Sequence, residues 1–434
     1  MITSFNTIGI IADDLTGAND SALQFQIQGA NTQILLGNNV EPLNDGETQT
    51  WAISTESRNV SANDAYEQVK ATVQWFIDVL KPDYFYKKID STVRGNIAIE
   101  TLGMLEVLDW DAAVIIPAFP TEGRITVGGY HLLRGVPIER TEMARDPHSP
   151  TCESYLPALM KSQLPEDFHE IIGSIELSTV MKGAGPILRE LNEQIENGKK
   201  LIVVDAVSSV DIEQIALAIT KSDYKILPAG TASGAKALSK IWLPEIEDET
   251  ERETLPEIPK LIISGSATQI NSNQIEKLEQ SNEFIDRREI ISLDLPTIIG
   301  GVQDELVEKI VSALCEKSFV LVHTANLIKN YQGISDESLR AELTKAEIAS
   351  VITDFLSELT RRVIERKELI LITLGGETSF KCCAKIGATQ LKLIDEVAPA
   401  IALSKANNGQ WIVTKSGNLG TPETLINILK YFDK

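Results

Sequence analysis

Cysteine and histidine are scarce in this 434-residue chain, and each scarcity excludes something. Four cysteines (Cys152, Cys315, Cys382, Cys383) are too few and too irregularly spaced for a disulfide framework, and none forms a Cys-x-x-Cys pair. Four scattered histidines (His131, His148, His169, His323), with no HxH or HxxxH spacing, argue against a zinc site. No segment reaches the roughly eighteen consecutive apolar residues of a membrane span. Residues 1–11 carry no charged side chain and lead straight into Asp13 and Asp14, unlike a signal peptide, so a soluble cytoplasmic protein is the expectation. Basic charge is also short: 40 Lys and Arg stand against 62 Asp and Glu, a formal net charge of −22. That field disfavours nucleic acid and anionic membranes as partners. It leaves room for a small anionic ligand held by a local cationic cluster. Finally, the chain has no GxxxxGK[ST] loop, no GxGxxG fingerprint and no GxSxG elbow.

What is present is a series of short Ile-, Val- and Leu-rich runs, at 7–12, 33–36, 51–53, 84–86, 113–116, 201–204, 261–263, 319–322 and 369–374. Stretches of helical period, such as 63–80 and 338–365, lie between them. Continuous apolar strands alternating with helices are the pattern of buried parallel sheets in α/β folds. Residues 244–257 break the pattern, with seven acidic residues and one Arg in fourteen positions. Such a segment cannot bury a core and reads as an exposed connection. The expected architecture is therefore α/β in two domains, 1–243 and 260–434, joined by an acidic linker at 244–259. Each domain is expected to be a mainly parallel sheet flanked by helices, with the active site in the cleft between them.

Ligands of open parallel sheets bind beyond the carboxyl ends of the strands, so the residues after each run are the informative ones. The first run is followed by Asp13 and Asp14, the third by Ser54-Thr55-Glu56-Ser57-Arg58. The fourth leads into Lys87, Lys88, Asp90, Ser91 and Arg94, and the fifth is followed by Arg124. Arg and Lys suit a carboxylate, whereas Asp and Ser suit hydroxyls, so the set fits a sugar acid. Singly, each has a plain structural explanation: Asp13-Asp14 as a helix cap, Lys87-Lys88 as a solvated strand end, Arg58 as a surface ion pair. Their recurrence at four strand ends favours a site.

The second half has a different signature: Ser264-Gly265-Ser266, then Gly375-Gly376-Glu377-Thr378, then Ser416-Gly417 behind Lys415. Glycines at strand-to-helix turns let backbone N–H groups surround a phosphate. One such turn is ordinary, but three suggest a nucleotide. Residues 369–434 carry seven basic and five acidic residues, so the overall acidity relents there.

These segments, IADDLTGAND, YKKIDSTVRGN, PAFPTEGR, GVPIERTEMARDP, SGSATQINSNQ, LGGETSF and TKSGNLG, resemble the four-carbon acid sugar kinases in order and over nearly the whole chain. The resemblance implies ATP-dependent phosphorylation of the 4-hydroxyl of D-threonate or, a close second, D-erythronate, with 3-oxo-tetronate ranked lower. It implies an N-terminal acid-sugar domain and a C-terminal ATP domain. Carried across, Asp13 and Asp14 form the catalytic acidic pair. Asp14, Arg58, Lys87, Lys88, Asp90, Ser91 and Arg94 bind the acid. Ser264, Ser266, Gly375, Gly376, Glu377, Thr378, Ser416 and Gly417 bind ATP. Mg²⁺ would accompany the phosphates, with its ligands unassigned beyond a place near Glu377. A homo-oligomer is compatible with the sequence, which does not decide the matter. Two rivals remain: a nicotinamide-dependent sugar-acid dehydrogenase, weakened by the missing GxGxxG, and a non-catalytic sugar-acid sensor.

Overall fold

In the computed structural model the described residues are 6–38, 42, 48–146, 148–243, 254–266, 268–325, 327 and 344–433. The chain divides into two compact units, Met1–Glu249 and Thr250–Lys434. Of the expected linker, residues 244–253 lie outside the described residues, as do 338–343 of the second helical stretch.

The first unit is built on eight parallel strands. In chain order they are β1 (Ile8–Ala12), β2 (Thr32–Leu35), β3 (Thr50–Ser54), β4 (Tyr84–Lys88), β5 (Ala112–Ile116), β9 (Ile172–Ile175), β10 (Leu201–Val204) and β11 (Ile226–Gly230). Their order across the sheet is β2-β3-β1-β4-β11-β5-β10-β9. β1 lies between β3 and β4, with Ile10 opposite both Ala52 and Tyr86. The chain thus winds outward to either side of β1, and the ends of β1, β3 and β4 form the crevice where ligands of such sheets bind. Between β5 and β9 a small antiparallel sheet is inserted: β6 (Arg124–Val127), β7 (Tyr130–Leu133) and β8 (Val136–Pro137). Its first turn, Gly128-Gly129, has positive φ at both residues, which glycine adopts without steric cost.

Strand alternation decides which side chains go to which face. On β4, Tyr84 stacks on Trp242 of the helix Ala232–Trp242 and Lys88 points towards the helix Leu15–Ile27. Phe85 and Lys87 point the other way, towards the side covered by the helices Ala62–Trp75 and Ile97–Leu108. Ile11, Ile53, Val69, Val73, Phe76, Phe85, Ile97 and Leu105 are all buried in the core on that side.

The second unit has seven strands, β12 (Lys260–Ser264), β13 (Arg288–Ser292), β14 (Phe319–His323), β15 (Ile370–Leu374), β16 (Gln390–Ala398), β17 (Ile401–Ala406) and β18 (Trp411–Lys415). In the order β13-β14-β12-β15-β18-β17-β16, the first five are parallel and the last two pair antiparallel. The helix Lys345–Ile364 begins with a capping box in which Thr344 and Glu347 satisfy each other's backbone N–H groups. Both units are therefore mainly parallel α/β structures with helices flanking the sheet. Among the described residues no helix is long and apolar enough to cross a membrane.

Candidate active site

At the end of β1, Asp14 is the N-cap of the helix Leu15–Ile27. Its Oδ1 accepts the Gly17 N–H at 2.8 Å and its Oδ2 the Thr16 hydroxyl at 2.8 Å. The capping role and a site role coexist, because Arg58 Nη1 also donates to Asp14 Oδ2 at 2.6 Å. Arg58 is further clamped to Asp13, through Nε at 2.7 Å and Nη2 at 2.9 Å, with Asp90 Oδ1 3.8 Å from Nη2. Burial would raise the Asp13 carboxyl, but the charges of Arg58, Lys87 and Lys88 outweigh it and hold it below the usual carboxylate range.

The loop after β4 closes on itself. Asp90 receives Arg94 bidentately, Nε at 2.9 Å and Nη2 at 3.1 Å, while Arg94 Nη1 reaches Asp146 at 2.9 Å. Burial again opposes ionisation, yet Arg94 and Arg58 hold Asp90 well below the usual range. The inserted sheet braces this loop from outside. Buried His131 bonds through Nε2 to the Ser91 carbonyl at 2.9 Å, with its Nδ1 3.1 Å from the Thr126 hydroxyl. Burial lowers His131 to about 4, so the ring is neutral at pH 7; Nε2 donates to the carbonyl and Nδ1 accepts from the hydroxyl.

Lys87 and Lys88, expected together at the mouth, separate because adjacent strand residues face opposite ways. Lys88 faces Asp20, with Nζ 3.7 Å from Oδ1. Lys87 is fully buried, 2.7 Å from the equally buried Glu100 of the helix Ile97–Leu108. Expected as a substrate contact, it is instead packed against Glu100, with Nζ also donating to the Lys88 carbonyl at 3.0 Å. Arg124 sits at the start of β6, donating to the Glu122 backbone and side chain.

Four residues at or around this mouth were not singled out from the sequence: Asp20, Glu56, His131 and Asp146. Glu56 stands at φ +50°, an unusual conformation for a residue with a side chain, and its Oε1 accepts the Leu15 N–H at 3.1 Å. Burial pushes its carboxyl up to about 8. Its position two residues after a strand end was the available signal. His131 and Asp146 reach the site only through tertiary packing.

In the second unit the three glycine turns meet. A Cβ on Gly417 would lie 2.1 Å from Ser266 Oγ, and one on Gly375 (φ +116°) 3.4 Å from Ser266 Cβ. One on Gly265 would lie 2.6 Å from Thr378 Oγ1. Thr268 Oγ1 donates to the Gly417 carbonyl at 2.6 Å, and the Gly375 N–H donates to the Lys415 carbonyl at 2.8 Å. Ser264 is held by Asn271 Nδ2 at 2.7 Å. The helix Gly376–Lys385 follows Gly375, which provides no side-chain cap, so its first N–H groups and its dipole are arranged as in an anion site. Lys415 is fully buried beneath the turns, with Nζ 2.8 Å from the Ser416 carbonyl. Glu377 bonds to Thr353 at 3.1 Å and lies 3.3 Å from Lys381 Nζ. Ala267, inside the first turn, lies outside the described residues.

Residues 8–238 match the model of a sugar-binding N-terminal domain, and residues 261–425 that of a nucleotide-binding C-terminal domain. The chain belongs to this family. Among its curated relatives are a D-erythronate kinase of Heliobacterium modesticaldum, 29% identical over 98% of this chain and 97% of the relative, and a D-threonate kinase of Salmonella typhimurium, 27% identical over 98% of each. A 3-oxo-tetronate kinase of Haemophilus influenzae is 27% identical over 95% of this chain and 97% of its own. The fold of the family is also seen in a crystal structure of a Haemophilus influenzae protein, 25% identical, with a TM-score of 0.70 over 98% of this chain and 99% of that one.

Proposed function

We propose that this family member is an ATP-dependent kinase that phosphorylates the 4-hydroxyl of a four-carbon sugar acid, D-threonate first and D-erythronate next. The observation that carries the proposal is the pairing of two unlike sites in one chain. One is a strand-end mouth that gathers Arg58, Lys88, Arg94, Asp90 and Ser91; the other is a set of glycine turns at a helix N-terminus. The relatives' names agree with a four-carbon acid as acceptor.

Phosphoryl transfer passes through a loose transition state and needs mainly positioning and charge neutralisation. Lys88 and Arg58 would face the acid's carboxylate, and Asp90 and Ser91 its internal hydroxyls. Asp13 and Asp14 hold the Arg58 guanidinium in one plane, so that it meets the acid already oriented. In the second unit the N–H groups beginning at Gly376, with Gly375, Gly417 and the hydroxyls of Ser264, Ser266, Thr378 and Ser416, would bind the nucleotide phosphates. Gly417 lets the first and third turns lie together, since a Cβ there would come 2.1 Å from Ser266 Oγ. Among the described residues no group of three or more His, Cys, Asp or Glu could hold a metal. Mg²⁺ would accompany ATP and neutralise charge on the transferring group.

A coupled ATP-consumption assay with D-threonate, D-erythronate and 3-oxo-tetronate side by side tests the proposal. Turnover is expected with at least one of the first two; none with any of the three overturns it.

A further inference from the structure

We propose that Asp20 is the carboxylate that takes the proton from the acceptor hydroxyl, with Lys88 as its ammonium partner. This rests on the kinase function proposed above and changes the assignment of the base.

The carboxylates around the mouth differ in what their oxygens already do. Both oxygens of Asp13 are chelated by Arg58. Asp14 gives Oδ1 to the Gly17 N–H and Oδ2 to Thr16 and Arg58. Asp90 receives Arg94 on both oxygens, and its Oδ2 also accepts the Thr92 N–H and hydroxyl. Every oxygen of these three carboxylates is already engaged by a donor, which leaves none to turn towards an acceptor hydroxyl. Glu56 Oε1 is tied to the Leu15 N–H and the Ser54 hydroxyl, and its acid form prevails at pH 7.

Asp20 is different. It lies in the second turn of the helix Leu15–Ile27, and among the described residues its carboxylate accepts one hydrogen bond, from the Ser21 hydroxyl to Oδ1 at 3.1 Å. Lys88 Nζ stands 3.7 Å from Oδ1, too far for a strong hydrogen bond but close enough to stabilise charge. The Asp20 side chain is 16% exposed, against 4% for Asp13 and 8% for Asp14. The charged or titratable groups facing it are Lys88 and Tyr86 from β4, Asp14 from the end of β1 and Arg58 from the loop after β3. Burial outweighs Lys88 and brings its carboxyl up to about 6, near the working pH, where a general base is most effective. Gly17 makes the pairing possible, since a Cβ there would lie 2.8 Å from Lys88 Nζ.

The step balances as follows. The acceptor O–H bond breaks and its proton passes to the Asp20 carboxylate. The oxygen's electron pair forms the new bond to the γ-phosphorus of ATP, and the bond from that phosphorus to the bridging oxygen breaks, leaving its pair on ADP. Asp20 afterwards releases the proton to water.

The test compares wild type with Asp20→Asn and Asp20→Glu, measuring kcat and KM for the active sugar acid between pH 5 and 9. Circular-dichroism melting of each variant checks folding. For Asp20→Asn, kcat should fall about 10²- to 10⁴-fold. KM should stay within about threefold, and the acidic limb of the kcat/KM profile near pH 6 should vanish. Asp20→Glu should recover part of kcat with a shifted acidic limb, which keeps the test open should Asp20→Asn fail to fold. An active wild type whose Asp20→Asn form keeps kcat within fivefold, or keeps the acidic limb, overturns the Asp20 assignment while the kinase function stands. A wild type inactive on all three acids overturns both.

Discussion

Removing Lys87 would leave the Glu100 carboxylate buried without its cation, 2.7 Å from where the ammonium had been. Breaking a buried pair on one side costs about 3–5 kcal/mol, whereas replacing both members with apolar residues is often neutral. Lys87→Met should therefore lower stability in urea by that amount, and Lys87→Met/Glu100→Leu should recover most of it; a double variant no better than the single one would show that the pair is not the cause. Gly17 offers a second experiment. An added methyl would meet Asp14 Oδ1 at 2.6 Å and Lys88 Nζ at 2.8 Å. The long Lys88 side chain can move aside, but Asp14 is fixed by Gly17, Thr16 and Arg58 and would lose its cap bond, so Gly17→Ala should lower stability by about 1 kcal/mol. Displacing the ammonium should raise KM for the sugar acid about tenfold, the loss of roughly 1.4 kcal/mol of binding. Unchanged KM would mean that Lys88 does not hold the acid. Part of the site was visible in the sequence because Asp14, Arg58, Lys88 and Asp90 all follow strand ends closely. The face taken by each Lys, and the approach of Asp20 to Lys88, depend on a register that one sequence does not display.

The inserted sheet β6-β7-β8 acts on the mouth through His131, whose Nε2 holds the Ser91 carbonyl at 2.9 Å. Burial lowers its folded value to about 4 from the ordinary 6.5. The unfolded chain therefore binds the proton more readily between these values. The stability His131 supports is complete above pH 6.5 and is lost as pH falls towards 4, by about 3 kcal/mol in all. Urea titrations at pH 7 and 4.5 should show wild type losing more stability than His131→Gln; equal losses would remove His131 from the account. This sheet was not legible beforehand, because its short strands carry polar residues such as Thr126 and His131 in place of an Ile-Val-Leu run. β11 escaped for another reason: Pro228 interrupts Ile226–Gly230, and proline ordinarily argues against a central strand, yet this one pairs with both β4 and β5. β9 and β13 escaped as well, carrying Gly173-Ser174 and Arg288-Glu289 where apolar residues would stand; the parallel strands that were legible are those whose burial on both faces demands continuous apolar residues.

Across the whole chain, the net charge of −22 sets a field against any anionic substrate. The mouth of the first unit does not reverse it. Arg58, Lys88 and Arg94 are set among Asp13, Asp14, Asp20, Asp90 and Asp146, three cations among five carboxylates. Lys87 and Glu100 cancel beneath them. Binding of a sugar acid then depends on contacts at hydrogen-bond distance, against repulsion from charges farther away. Salt screens the distant charges far more than the close, desolvated ones, since the Debye length shrinks from roughly 20 Å at 20 mM ionic strength to about 8 Å at 150 mM. Raising ionic strength across that range should therefore lower KM for the sugar acid about two- to threefold, the reverse of a ligand drawn in by a cationic face. Steady-state kinetics in potassium chloride, with ATP saturating throughout, would measure it. A KM that climbs with salt would mean that Arg58, Lys88 and Arg94 act on the acid as a net positive surface, and that their carboxylate partners give them up when it binds.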